Sequence, residues 1–404
     1  MKLLWLTNIP VGEKISSTGS WLESLSSKLE KEKDIQIVYC YPGKKSTPND
    51  NSYTFSSKNN SVFFKEILIR ENVDLVHIHG TEMLHSYEMT EVCKELEIPF
   101  VISIQGLVSV ICNHLEADLP VRVVKGKTFR NFIFKDNIKG LSKQYYEKGI
   151  FEKKAIQNSK YIIGRTTWDY AMIQEINKDA EYFSCNEVLR SEFYEKDAIW
   201  NIDKIDKNMI FVSQASYSLK GLHYLLNAMP SILKEFPETH IIVAGKKMNG
   251  SDSFKDRMKE TYYAKYLQSL IKKLNLTEKI TFVGNATAKE MKEYFLKAHV
   301  FVLLSTMENE SNSISEAKML GVPVISSYVG GVVDRINHGE DGFLYQHNSP
   351  EMLSFFIKKV FSSNELTESL SINGKKNAEI LFDLNKNVRN IRNVYLKILG
   401  DKHE

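Results

Sequence analysis

The feature that most constrains this chain is a rhythm that starts twice. Short apolar runs of strand length alternate with helical segments, first at Leu3–Leu6, Ile35–Tyr39, Leu75–His79, Phe100–Ile104 and Tyr161–Ile163. After a polar stretch at Asp203–Asn208 the pattern resumes at Met209–Val212, His240–Ala244, Ile280–Val283, Val300–Leu304 and Val322–Ile325. Alternating strands and helices specify α/β folds with parallel sheets. At 404 residues the chain exceeds one ordinary core, so two doubly wound domains are expected, 1–200 and 201–384, followed by a terminal helical segment 385–404. Open parallel sheets bind ligands outside the carboxyl ends of their strands. The residues after each run are therefore the candidates for chemistry.

Composition removes several function classes. Fifty-three basic and 50 acidic side chains leave a net charge of +3, too even a balance for a chain that works by gripping nucleic acid. Four scattered cysteines have neither C-x-x-C pairing nor metal-ligand spacing and fit reduced thiols in the cytoplasm. The opening MKLLWLTNIP reads as a first strand and not as a signal peptide. Gly126-Lys127-Thr128 resembles the end of a P-loop, but Val121 stands where its first glycine belongs. No G-x-G-x-x-G follows the first strand, and no G-x-S-x-G elbow is present. His77 and His79 are expected on opposite sides of their strand, which makes them poor joint metal ligands; His77 reads as core, and His79, beside Gly80 at a strand end, as the functional candidate. Glu308-Asn309-Glu310 reads as a polar, solvent-facing loop and not as a cation site.

Glu308 and Glu316 are the carboxylates that need an explanation. Eight positions apart they do not share a helix face. Glu308 falls in the loop after the Val300–Leu304 strand, and Glu316 in a helix over Ile314–Leu320 stopped by Gly321 and Pro323. Ser313-Ile314-Ser315-Glu316 matches a capping box, in which Glu316 would serve the helix start. Glu308 has no such structural role.

Two α/β halves, E-x7-E at Glu308 and Glu316, the continuation Ala317–Ile325, Gly330-Gly331 and Asn337–Leu344 together resemble a retaining glycosyltransferase of family 4. The likeness covers most of residues 205–350. It implies the GT-B fold, two Rossmann-like domains facing across a cleft, the first taking the acceptor and the second a nucleotide-diphosphate sugar. Carried over, Glu308 contacts the donor sugar and Glu316 the ribose, and Lys220, in Lys220-Gly221, neutralises the leaving diphosphate. Val283-Gly284 resembles the stretch that reads the base, which adds Gly284 and Asn285, with Gly245 at the preceding strand end. The helix start at Asn312, Ser313 and Ile314 offers amides and a positive dipole end to the phosphates. Gly19, in Thr18-Gly19-Ser20, would bring first-domain amides to the same phosphates. Two departures stand out: Gln214 replaces the family's second phosphate cation, and Gln105 replaces its acceptor-side histidine. Arg165 is the candidate to restore the charge, and His79 and Gln105 are assigned to the acceptor side. The scheme requires neither metal nor other cofactor.

From Arg122 to Lys154 ten basic and three acidic residues interleave with aromatic side chains. Such a mixture suits contact with anionic headgroups. The expected protein is thus a cytoplasmic enzyme peripheral to the inner membrane face, acting on a glycan or polyprenyl-diphosphate-linked acceptor in cell-surface polysaccharide assembly. Two other readings fit the architecture: a catalytically silent adaptor that binds glycan or protein, and a nucleotide-sugar epimerase.

Overall fold

The computed structural model describes residues 1–11, 21–32, 34–43, 51–56, 60–196, 198–246 and 260–401. Gly19 and its neighbours Thr18 and Ser20 lie outside the described residues. The chain forms two compact units, one of Met1–Ile111, Tyr145–Ser191 and Phe382–Glu404, the other of Cys112–Gln144 and Glu192–Leu381.

The first unit is built on a seven-stranded sheet of β1 (Lys2–Leu6), β2 (Gln36–Pro42), β3 (Ser52–Phe55), β4 (Leu75–His79), β5 (Phe100–Ser103), β6 (Tyr161–Gly164) and β7 (Glu181–Ser184), in the order β3-β2-β1-β4-β5-β6-β7. Every pair is parallel. Its central strands are apolar on both faces because helices cover both. On one face Leu22, Leu25 and Leu29 of helix Trp21–Leu29 meet Val388, Ile391 and Tyr395 of the last helix, Leu384–Gly400, over Trp5 and Ile37. On the other, Phe64, Ile67, Met89, Ala155 and Ile173 pack over Leu4, Val76 and Ile102.

The second unit repeats the plan with six parallel strands: β8 (Met209–Val212), β9 (His240–Ala244), β10 (Ile280–Gly284), β11 (Val300–Leu303), β12 (Val324–Ser327) and β13 (Phe343–Tyr345), in the order β10-β9-β8-β11-β12-β13. The winding direction reverses between β8 and β11, and in the first sheet between β1 and β4. Such switch points are where crossovers leave on opposite faces and open a crevice.

Three expectations change. The first domain is not the continuous stretch 1–200, because residues 112–144 group with the second unit. Ala117 O accepts from His223 Nε2 (3.0 Å) and Tyr224 Oη (2.9 Å), and His114 O accepts from Thr306 Oγ1 (3.0 Å), so backbone carbonyls fasten the segment to the first turn of helix Leu222–Glu235 and to the loop after β11. The capping box at Ser313 and Glu316 does not form: helix Asn312–Leu320 starts earlier, its N-cap is Ser311, and no side chain caps it. His77 and His79 do not face opposite ways, since residues two apart on a strand share a face. Their rings stack at 3.7 Å.

Candidate functional site

In the second unit the expected residues gather at the carboxyl ends of β8, β9, β10 and β11. After β8 the chain passes Gln214, turns through the 3-10 segment Ser218–Lys220, and enters helix Leu222–Glu235 by way of Gly221 at φ +67°. A β-carbon at Gly221 would lie 2.0 Å from Leu304 O, so only glycine lets this turn sit against the end of β11. Thr306 N closes the contact by donating to Leu219 O at 2.8 Å. The two loops that flank the switch point are thereby joined.

Across that junction Lys220 Nζ meets Glu308 Oε2 at 2.7 Å, with both side chains largely shielded from solvent (14% and 18% exposed). Ser305 Oγ donates to the same carboxylate oxygen at 3.0 Å, and Ser327 Oγ anchors Ser305 O at 2.6 Å. The backbone of Glu308 is gripped from the far side. Gly331 N donates to Glu308 O at 3.1 Å, and a β-carbon on Gly330 would meet that oxygen at 2.0 Å. The paired glycines therefore hold the Glu308 loop by close backbone approach. Segment 114–118 braces the loop after β11 through Thr306 and the first turn of helix Leu222–Glu235 through His223 and Tyr224, and its Ala117 and Asp118 are held at positive φ, +49° and +53°. Non-glycine residues persist there only where their surroundings over-determine the conformation.

The remaining donor-side candidates line the same sheet edge. Gly245 N donates to Gly284 O at 2.9 Å, and Gln214 Cγ lies 3.5 Å from the position a β-carbon on Gly245 would take. Gln214, Gly245 and Gly284 are thus neighbours, with Asn285 exposed beside them. At the start of the next helix Asn312 and Ser313 are half-buried, and Glu316 is only 3% exposed. Ile314 N, expected to face a phosphate, donates to Ser311 O at 3.0 Å. Beside Lys220, burial raises the Tyr217 phenol above its usual range.

The solvent-facing reading of Asn309 and Glu310 is overturned: both are buried, and Glu310 Oε1 receives Arg335 Nε at 2.7 Å. A second buried pair, Lys318 Nζ to Asp341 Oδ2 at 3.0 Å, ties the helix to the Asn337–Gly342 turn, where Asp341 Oδ1 also accepts from Asn337 N at 2.8 Å. Burial pulls the Lys318 ammonium below its usual range. Sequence reasoning quoted Glu310, Lys318 and Asp341 but paired none of them, and it passed over Arg335.

The first unit brings His79, Gln105 and Arg165 around one recess of about 340 Å³, solvent included, with Trp21 and Glu187. Arg165 Nη1 meets Glu187 Oε1 at 2.5 Å with both side chains 5% exposed, and its Nη2 donates to Ile104 O and Gln105 O. Gln105 Nε2 donates to the same Glu187 oxygen at 2.9 Å. Glu187 is the centre that sequence reasoning did not single out. Burial holds His79 well below the usual histidine range, so its ring is neutral, and among the described residues neither ring nitrogen has a hydrogen-bond partner. His77 beneath it is pushed down to about 3 by burial and is fixed by Tyr395 Oη at 2.6 Å and Ser103 Oγ at 2.7 Å.

Residues 192–377 match the model of the family described as glycosyl transferases group 1. Among curated relatives, an uncharacterized glycosyltransferase of Methanocaldococcus jannaschii is 27% identical over 47% of this chain and 45% of its own length. Spore coat protein SA of Bacillus subtilis is 26% identical over 47% and 49%. The capsular polysaccharide biosynthesis glycosyltransferase CapM of Staphylococcus aureus is 27% identical over 40% and 39%. The chain spans about half the length, or less, of these relatives. Over 98% or more of the chain the fold is similar to that of sucrose-phosphate synthase from Thermosynechococcus elongatus (TM-score 0.72, 15% identity, 99% of that chain) and of Anabaena Alr3699/HepE crystallised with UDP-glucose (0.72, 15%, 100%). The chain therefore has the GT-B fold, and its residues 192–377 match a glycosyl transferases group 1 domain.

Proposed function

We propose that this protein is a retaining glycosyltransferase that moves a sugar from a nucleotide diphosphate to a glycan or lipid-linked acceptor in cell-surface polysaccharide assembly. The observation that carries the reading is the Lys220 to Glu308 pair set across the β8/β11 switch point. A lysine there supplies a point charge for the diphosphate as it departs, stabilising charge that develops in the transition state. Glu308, an acceptor-only group, takes hydroxyl donors of the sugar, and Glu316 those of the ribose. The start of helix Asn312–Leu320 points a positive dipole end at the phosphates. Gly245, Gly284 and Asn285 receive the nucleotide, and the first unit, through His79 and Gln105, receives the acceptor. Retention follows a front-face route in which the leaving phosphate takes the acceptor's proton, so neither metal nor other cofactor is needed. The capsule assignment draws on the CapM relative, and the lipid-linked acceptor on the basic aromatic stretch 122–154, which would place the enzyme at the cytoplasmic membrane face.

Two observations favour a second reading, a silent adaptor: Gln214 carries no charge, and the charge of Arg165 is neutralised by Glu187. A panel of nucleotide sugars, scored for binding, hydrolysis and transfer to acceptor extracts with and without EDTA, separates the two. Turnover that survives EDTA and is lost in a folded Glu308→Ala variant is the expected result. Tight donor binding with no turnover in any extract would sink the enzyme reading.

A further inference from the structure

The second unit carries a short helix, Phe129–Phe134, whose sequence FRNFIF inverts the usual order of burial. Its polar Asn131 is 1% exposed, while Phe129, Phe132, Ile133 and Phe134 are 58%, 74%, 54% and 63% exposed. Isolated exposed apolar side chains are ordinary, but four among six consecutive residues make a patch that asks for a partner.

The helix is firmly seated. Thr128 caps it with a full capping box to Asn131, and Thr128 Oγ1 donates to Glu260 O at 2.7 Å. Asn131 Oδ1 accepts from Tyr262 N at 3.0 Å, and Asn131 Nδ2 donates to Asp136 Oδ1 at 2.7 Å. Just before it, Gly126 lies flat on the Tyr262 ring, where a β-carbon would come within 2.5 Å. The apolar face is thus held outward by polar groups behind it and is not a frayed core element.

What surrounds the patch selects the partner. Between Val121 and Lys143 there are seven Lys or Arg and one acidic residue, Asp136, which is already paired with Arg130 at 2.7 Å. Arg122, Lys125, Lys127, Lys135, Lys139 and Lys143 are all exposed. Aromatic side chains ringed by exposed cations match an anionic lipid surface, where the rings enter the acyl boundary and the cations meet headgroups. Among the described residues no helix is long and apolar enough to cross a membrane, so contact through this patch would be from one side.

We infer that helix Phe129–Phe134 is a membrane-inserting wedge for bilayers rich in anionic lipid, and that it, with its ring of cations, carries the contact read from the sequence over 122–154. The later part of that stretch has different surroundings: Phe151 packs against Tyr87, and residues from Tyr145 onward group with the first unit. The inference extends the reading of a lipid-linked acceptor but stands on the wedge's own chemistry.

The test is co-sedimentation of the full chain with vesicles of phosphatidylcholine alone or with one-third phosphatidylglycerol, at low and high salt. The wild type should partition to the anionic vesicles and be released by salt. The double variant F132S/F134S should bind at least tenfold more weakly, and K125Q/K127Q/K135Q should lose about fivefold per charge. The altered side chains are exposed, so both variants should keep the wild-type thermal melt and nucleotide binding. Failure of the donor reading would appear separately, as absent nucleotide binding in the wild type. Equal partitioning to both vesicle types, or unchanged partitioning of F132S/F134S, overturns the inference. So does a lipid-free dimer of the wild type that F132S/F134S abolishes, which would make the patch a protein interface.

Discussion

Replacing Glu308 by Gln should strengthen the binding of nucleoside diphosphates while it destroys sugar transfer. In the free protein Lys220 Nζ is occupied by Glu308 Oε2 at 2.7 Å. A diphosphate that recruits Lys220 must therefore compete with that carboxylate. The pair is neither open to solvent nor fully dry, so its worth lies between the values for surface and for buried pairs, about 1–2 kcal/mol. Removing the competitor should raise diphosphate affinity by roughly 5- to 30-fold. Lys220→Met removes the charge-assisted bond itself, about 1.5–3 kcal/mol, and should weaken the same ligand by roughly 10- to 150-fold. The double variant should behave like Lys220→Met, because Glu308 then has no cation to compete for. Calorimetric titration with uridine and guanosine diphosphates reads all four proteins, and a transfer assay with the matching sugar nucleotide should show the Glu308 variant down by at least roughly 100-fold. If Glu308→Gln weakens the diphosphate as much as Lys220→Met does, the two residues act as one structural clamp and the assignment of opposite roles is wrong.

Gly221→Ala should cost upwards of about 2 kcal/mol in urea denaturation, since it adds left-handed strain to the 2.0 Å approach to Leu304 O. Lys318→Met should destabilise by about 3–5 kcal/mol by leaving Asp341 buried without its cation, and adding Asp341→Leu should restore much of the loss. Glu152 is fully buried; it accepts from Val108 N and Ser109 N at 2.9 Å, yet burial outweighs those amides and pushes its carboxyl up to about 7. Because the folded state holds this proton longer than the unfolded chain does, the Glu152 contribution is fully present below about pH 4.5 and is lost as pH rises through about 7. The stability difference between wild type and Glu152→Gln should therefore change by about 3 kcal/mol across that window, with the wild type relatively stronger on the acid side. A flat difference would place the Glu152 proton elsewhere. His77, pushed down to about 3, works in the other direction: its contribution is present above about pH 6.5 and is lost as pH falls toward 3, so His77→Gln should flatten part of the acid limb of a denaturation profile.

The strands legible in the sequence are mostly those that burial forces to be apolar. β1, β4, β5 and β6 in the first sheet, and β8 and β11 in the second, have neighbours on both edges and helices on both faces, which leaves unbroken runs such as Val300–Leu303. β3, β7 and β13 escaped notice, and all three are edge strands. Their sequences SYTF, EYFS and FLY are polar or brief because an edge strand has only one neighbour to satisfy. The placement of residues 112–144 was hidden for a different reason. It rests on the carbonyls of His114 and Ala117, and every residue type presents the same carbonyl.

The candidate site was legible where geometry demands a particular side chain and silent where it demands only a partner. Gly221, Gly330 and Lys220 could be read because backbone approach and charge leave few substitutes. Glu187 and the Glu310 to Arg335 pair could not, because a buried charge signals that some counter-charge exists without saying which. That missing information bears on which cation is proposed for the diphosphate. Arg165 stood as a replacement for the cation absent at Gln214, but its guanidinium lies 2.5 Å from Glu187 and also serves two backbone carbonyls. Moving it toward a phosphate would strand Glu187, 5% exposed, without its counter-ion, at a cost of several kcal/mol. Of the two cations proposed for the diphosphate, Lys220 is the one whose counter-ion is also proposed to bind the sugar, so neutralising the phosphate and releasing Glu308 toward the sugar become a single event.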